Sequence, residues 1–188
     1  MSETYVISDT HFGHENSLNF IRADGKPLRP FSSVEEMDSV LIDNWNSVVK
    51  PEDKVIHCGD VVINKKHLTT LSKLNGKKKL IMGNHDESKA SVLLEYFYDV
   101  KAYRVFDTCV FSHIPIHPMQ GSRFSANIHG HLHSNYVMKG DVRDYTYFNV
   151  SCDCDDMNFT PMPWYRIKEL LTSRGVVLGS KRKAPTTL

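Results

Sequence analysis

Short apolar runs bounded by polar residues set the rhythm of this chain. Five stand out: Tyr5-Val6-Ile7, Lys54-Val55-Ile56, Leu80-Ile81-Met82, Cys109-Val110-Phe111 and Ala126-Asn127-Ile128. Such brief runs, rich in β-branched and aromatic residues, have the pattern of buried strands. Between them the apolar period lengthens to that of a helix. Ser33-Val34-Glu35-Glu36 places a hydroxyl and a carboxylate at the spacing of a capping box. Met37, Val40, Leu41, Trp45 and Val48 then recur at helical spacing until Pro51 ends the segment. A second helix is predicted over 65–75, with Leu68, Leu71 and Leu74 on one side and Gly76 as stop. A third begins near Ser88 and carries Val92, Leu93, Tyr96 and Phe97; a last one covers 164–173, before Gly175. The second half is richer in β signals, at 100–106, 109–112, 126–129 and 145–150. A mixed first half and a mostly β second half predict an α/β (α+β) fold, two sheets face to face with helices outside.

The residues just beyond each apolar run carry the chemistry. The segments are Asp9-Thr10-His11, Gly59-Asp60, Gly83-Asn84-His85-Asp86, His113 and Gly130-His131-Leu132-His133. Oxygen and imidazole ligands at the carboxyl ends of strands suit a pair of hard-to-borderline divalent cations. A cation pair suits phosphoester chemistry because it clamps attacking and leaving oxygens. In an extended strand end, positions i and i+2 project to one side, so Asp9 with His11, and His131 with His133, can each reach one ion. Asp60 has lone pairs enough to bridge two cations; standing alone it reads rather as a turn or helix-capping residue. Asn84 can ligate through its carbonyl oxygen. That leaves His85 free to donate a proton, with Asp86 placed to orient and charge-stabilise its imidazole or to cap the next helix.

Residues flanking these motifs are weaker candidates. His14 and Asn127 are candidates to touch phosphate, and Arg22, Arg29 and Arg123 to supply a positive clamp, each reading equally as a surface residue. His117 reads as a loop residue at the site's mouth, His57 as structural and His67 as an exposed helix residue. His129 is off the i, i+2 register and stays outside the ligand set.

Bulk properties narrow the setting. A chain of 188 residues suits one domain, expected over 1–179, with a disordered tail over 180–188 that lacks apolar periodicity. Net charge is +1, so no global field attracts nucleic acid or membrane, and a nucleic-acid partner would need a local patch. No apolar stretch approaches the roughly 20 residues that span a bilayer. The N-terminus lacks the basic start and apolar centre of a secretion signal, so a cytoplasmic location is expected. Cys58, Cys109, Cys152 and Cys154 read as buried structural residues, since no second pair completes a zinc site with Cys152-Asp153-Cys154.

Taken in order, Asp-x-His, Gly-Asp, Gly-Asn-His-Asp, His and Gly-His-x-His resemble the calcineurin-like metallophosphoesterase superfamily. The stretch Ser8 to His14, Arg29-Pro30-Phe31, Asn44-Trp45-Asn46 and the segment 149–163 are similar to its small single-domain bacterial and phage members. The resemblance leaves out only about the last dozen residues. It implies a four-layer αββα sandwich. It also implies one metal held by Asp9, His11, Asp60 and His133, and a second by Asp60, Asn84, His113 and His131, with Asp60 bridging. Members use manganese, iron, zinc, nickel or magnesium; mixed nitrogen and oxygen ligands put manganese or iron ahead of an all-oxygen magnesium site. The implied activity is hydrolysis of phosphodiesters or phosphomonoesters by a hydroxide bridging the metals, His85 serving as acid. The expected substrate is a small phosphoester or nucleotide. Two rivals remain. A nuclease on polymeric DNA or RNA calls for a basic stripe, and Lys77-Lys78-Lys79 is the only dense run near a motif. A binding scaffold that has lost catalysis calls for eroded ligands, whereas every ligand position and His85 are intact.

Overall fold

Each of the five apolar runs overlaps a strand, and the pairing of those strands decides the architecture. The computed structural model describes residues 2–179. Strands β1 (Thr4–Ile7), β2 (Lys54–His57), β3 (Lys77–Ile81) and β4 (Asp99–Lys101) pair in parallel in that order. The second sheet takes β5 (Tyr103–Phe106), β6 (Cys109–Ser112) and β7 (Asn127–His129). A small ribbon of β8 (Met138–Lys139) and β9 (Val142–Arg143) comes next, and β10 (Tyr147–Asn149) then joins the second sheet beside β7. Finally β11 (Met162–Pro163) returns to the first sheet, antiparallel to β1. Both sheets are mixed, with orders β11-β1-β2-β3-β4 and β10-β7-β6-β5.

One apolar cluster joins the sheets. It contains Val6 and Ile7 of β1, Phe111 of β6, Ile128 of β7 and Phe148 of β10. Helix α1 (Val34–Val48) adds Met37, Leu41 and Trp45, all buried. Burying side chains of this size is worth about 1.5–3 kcal/mol each relative to exposure. Ser33 caps α1 by accepting from the Glu36 N–H at 3.1 Å. The Glu36 carboxylate turns one residue further back than a capping box requires and takes the Ser32 N–H and hydroxyl.

Two helices differ from the predicted form. The segment predicted over 65–75 is a 3₁₀ helix, Lys65–Lys73. Leu68, Leu71 and Leu74 repeat every three residues, the period of a 3₁₀ rather than an α-helix. The segment predicted from Ser88 shrinks to α2 (Ala90–Leu93), after which turns carry the chain until the Tyr98 N–H bonds Lys78 O at 3.0 Å. The short α3 (Pro118–Gly121) lies between β6 and β7. Helix α4 (Trp164–Ser173) matches its predicted bounds and turns Trp164, Ile167 and Leu171 inward. Trp164 packs on Phe106 and Phe111 of the second sheet, with centroids 5.8 and 5.3 Å apart.

The strand predicted over 100–106 is two strands in different sheets, β4 and β5, with Ala102 between them. The chain bends at Ala102, and its pairing partners change there. No helix among the described residues is long and apolar enough to cross a membrane. The tail predicted as disordered, 180–188, lies outside the described residues.

Candidate metal centre

The loops that leave β1, β2, β3, β6 and β7 at their carboxyl ends converge, carrying the polar residues with them. Asp9, His11, Asp60, His131 and His133 all have positive φ, between 46° and 68°. This corrects the extended i, i+2 geometry predicted for the two pairs. The chain kinks into left-handed backbone at these five ligands, a conformation that Asp and His tolerate better than bulkier residues. Each such residue costs on the order of 1–3 kcal/mol and persists only where its surroundings over-determine it. Glycine makes room for the convergence. A Cβ on Gly83 would lie 2.1 Å from Asp60 Oδ1, and one on Gly130 would lie 2.3 Å from Asp9 Oδ2.

Two groups of donor atoms result: Asp9, His11 and His133, and Asp60, His113 and His131. Asp60 Oδ2 lies 3.7 Å from His11 Nε2 and 3.3 Å from His113 Nε2, so one oxygen faces both groups. Its other oxygen accepts the His85 N–H at 2.9 Å. Asn84 Oδ1 is 2.9 Å from His113 Nε2 and belongs with the second group. His131 Nδ1 approaches the same His113 nitrogen at 3.2 Å.

The donor set is short of positive charge. His113 Nδ1 sits 2.8 Å from Cys58 O, which can only accept, so the proton is on Nδ1. The Nε2 lone pair then faces Asn84 Oδ1 and Asp60 Oδ2, acceptor against acceptor. Asp9 Oδ2 is satisfied by the Ser151 hydroxyl and the His131 N–H, whereas buried Asp9 Oδ1 has no hydrogen-bond partner. Converging acceptors with an orphaned carboxylate oxygen fit a divalent cation in each group, and the residues present therefore suit a metal pair. Without a cation, a second proton on His113 relieves that clash by letting Nε2 donate to Asp60. Burial pulls Asp60 upward, but the His113 hydrogen bond and charge hold it down at about 2. Burial drives His11 well below its ordinary value, whereas His113 is raised because its carboxylate neighbours outweigh burial.

Behind the ligands stands a brace whose Asp153, Asn149 and Ser151 are absent from the sequence-based candidate set. Asp153 is buried, and both its oxygens lie 3.0–3.2 Å from His133 Nδ1. That contact fixes the Nδ1–H tautomer and leaves the His133 Nε2 lone pair for a cation. Arg29, 1% exposed, pairs with Asp153 at 2.9 Å and donates to the carbonyls of Asp9 and Thr10. Arg29 therefore ties the Asp9 loop to His133 and is not the phosphate clamp predicted for it. Asn149 donates to His133 O and holds Ser151, whose hydroxyl reaches Asp9. A signal for this brace is present: Asn149, Ser151 and Asp153 alternate with Val150 and Cys152, which places the three polar side chains on one face.

The remaining candidates take varied places. His85 stands at the rim with its side chain 49% exposed and Nε2 4.0 Å from Asp60 Oδ2. Asp86 does not orient it. Its carboxylate turns inward and accepts three backbone N–H groups, of Asp60, Val61 and Gly83, pinning the β2 and β3 loops together. The His14 ring lies 5.6 Å from that of His11, beside the first group. Asn127 is buried and spends its side chain on Ile116 N, Val110 O and Ser112 Oγ, so it is a brace without a free atom for phosphate. Arg22 is paired with Asp155, and Arg123 is exposed beyond α3, with no ion pair to the ligand cluster among the described residues. His117 caps α3. His57 accepts from Gly59 N, meets Thr10 Oγ1 and stacks on Trp45; complete burial lowers it to about 3, so it is neutral. His67 is half-buried against Gly13, not exposed as predicted. The four cysteines are free and buried, with Cys152 and Cys154 donating to Asp9 O and Asn149 O.

The family model for calcineurin-like phosphoesterases matches residues 3–177. The chain belongs to the calcineurin-like phosphoesterase family. An uncharacterised protein of Methanocaldococcus jannaschii is 31% identical over 186 residues, covering 94% of this chain and 96% of that one. The gene 66 protein of Mycobacterium phage L5 is 36% identical over 92 residues, which cover 46% of this chain and 41% of that one. Among solved structures, a protein of unknown function from Aquifex aeolicus shares the fold at a TM-score of 0.67 and 26% identity, covering 90% of this chain and 100% of that one. In this calcineurin-like chain, the two donor groups occupy the loops where the five motifs fall.

Proposed function

We propose that this calcineurin-like protein is a metal-dependent hydrolase of phosphodiesters and phosphomonoesters, acting on a small phosphoester or nucleotide. One observation carries the reading: Asp60 Oδ2 lies within 4.0 Å of imidazoles from both donor groups, the position of a bridging ligand. Asp9, His11, Asp60 and His133 would hold one divalent cation, and Asp60, Asn84, His113 and His131 the other. Manganese is the cation proposed first, with iron, zinc, nickel and magnesium as alternatives, for a set that mixes imidazole with oxygen donors. When bound, such a pair makes water nucleophilic near neutral pH and offsets charge on phosphoryl oxygens.

The chain's own residues do the rest. Cys58 O and Asp153 hold the Nδ1–H of His113 and His133, so each ring already turns its Nε2 toward the place a cation would take. His85 is tethered through its backbone N–H to Asp60 Oδ1, while its ring reaches the open rim. From there Nε2 delivers a proton to the departing oxygen. A second reading, action on long nucleic-acid strands, finds no support in the lysine run. Lys78 Nζ donates to Leu74 O and Gly76 O at the amino end of β3, remote from the ligand loops, and Lys79 lies over Tyr98.

The test is hydrolysis of bis-p-nitrophenyl phosphate and p-nitrophenyl phosphate with excess manganese, and then of alkyl esters. His85→Ala is expected to cost roughly 10²–10⁴-fold on alkyl esters, the usual worth of a positioned proton donor. Activated aryl esters, which leave without a proton, are expected to lose far less. An equal loss on both classes rejects the role given to His85.

A further inference from the structure

The loops leaving β2 and β3 part at their carboxyl ends and enclose a cleft of about 510 Å³. That volume suits a small organic ligand, and open α/β sheets bind ligands outside the carboxyl ends of their strands. None of the seven candidate metal-ligating residues lines this cleft, but His85 does. The imidazole thus stands between two spaces, with Asp60 on one side and the cleft on the other. A proton donor must touch the oxygen that departs, so whatever that oxygen carries continues into the cleft.

The lining narrows what it carries. Val62, Ile63 and Val92 supply apolar wall, and Lys65 and Lys89 stand among them. Among the described residues the lysines in ion pairs are Lys26, Lys101 and Lys168, so both cleft lysines lack a carboxylate partner. Two carboxylates also line the cleft. Asp86 is consumed by backbone N–H groups, and Glu87 is exposed. Unpaired cations beside an apolar wall suit a group with an apolar body and its own phosphate.

We propose that this cleft receives the leaving group, and that the leaving group is itself anionic, with the chemistry of a nucleoside monophosphate. This deepens the phosphoesterase reading and rests on it. The substrate is then a phosphodiester whose departing alcohol belongs to a nucleotide. Its P–O bond breaks as the oxygen of water bonds phosphorus. The electron pair stays on the departing oxygen, which takes the His85 proton, and the surplus proton of the water passes to solvent.

A minimal substrate pair tests this: the deoxyadenosine dinucleotide with and without a 5′-phosphate, each in the presence of manganese. Cleavage at the 3′-oxygen releases deoxyadenosine monophosphate from the first and deoxyadenosine from the second. The phosphorylated dinucleotide is expected to be preferred at least about tenfold in kcat/KM, a discrimination of about 1.4 kcal/mol. In the Lys65→Ala/Lys89→Ala variant that ratio is expected to fall toward one. Equal use of the two dinucleotides by the unaltered protein overturns the proposal, as does a preference that survives the double substitution. A longer oligonucleotide strongly preferred over either dinucleotide also overturns it, because a strand outruns this cleft. Bis-p-nitrophenyl phosphate separates the two levels: turnover of that ester without turnover of either dinucleotide rejects the cleft assignment alone, and no turnover of any of them rejects the phosphoesterase reading.

Discussion

Asp60→Asn is expected to abolish turnover, by on the order of 10³-fold or more, and to remove at least one bound cation. Losing a partner that merely supports a ligand already costs about 10–100-fold in metal affinity or activity. Asp60 has the more central place: Oδ1 accepts the His85 N–H, and Oδ2 faces His11 and His113. An amide cannot do both. If its NH₂ takes the Oδ2 position, donor hydrogens point where acceptor lone pairs converge. If it takes the Oδ1 position, it confronts the His85 N–H, donor against donor. Either orientation also removes the negative charge that balances two cations. Steady-state kinetics with elemental analysis of the same sample read the effect. Full activity with two metals retained would contradict the bridging role.

Arg29→Met is expected to have the largest effect on stability. Arg29 and Asp153 both have side chains 0% exposed and pair at 2.9 Å, while the guanidinium also serves the carbonyls of Thr10 and Asp9. Removing one partner of a buried ion pair leaves an uncompensated charge, at a cost of about 3–5 kcal/mol. For a chain of this size that corresponds to roughly 6–20 °C in Tm. The loss is local as well as global. An unpaired Asp153 repositions against His133, and the Asp9 loop is released, so metal affinity should fall with stability. Adding Asp153→Asn removes the stranded charge and is expected to recover part of the Tm but not the metal affinity, because the carboxylate that orients His133 is gone. A Tm within a degree or two of the unaltered protein would contradict the brace.

The elements that are legible in the sequence share a physical cause. Cys109–Ser112 and Trp164–Ser173 match their predicted bounds because their ends are written locally, by polar turns, Pro163 and Gly175. The split of 100–106 is hidden because the bend falls at Ala102, with no glycine or proline to mark it, while the pairing moves from β3 to β6. Leucines at every third position mark a helix, and their strict spacing of three is the trace of its 3₁₀ winding. In the site, the chemistry-bearing residues are visible because each group follows within a few residues of the end of an apolar run. Their left-handed backbone is not, since φ at Asp9 or His131 is imposed by convergence of distant loops. The bracing role of Asp86 is hidden for the same reason: its neighbour in sequence is His85, but its partners lie across the sheet at Asp60 and Val61. Arg29 and Asp153, 124 residues apart, meet only in the folded chain.

Two cations flanking one carboxylate are the feature on which the proposed chemistry depends. Anomalous scattering from a crystal soaked in manganese tests it most directly. Two peaks are expected on either side of Asp60 Oδ2, one contacting Asp9, His11 and His133, the other Asn84, His113 and His131. A single peak, or none among these side chains, would contradict it.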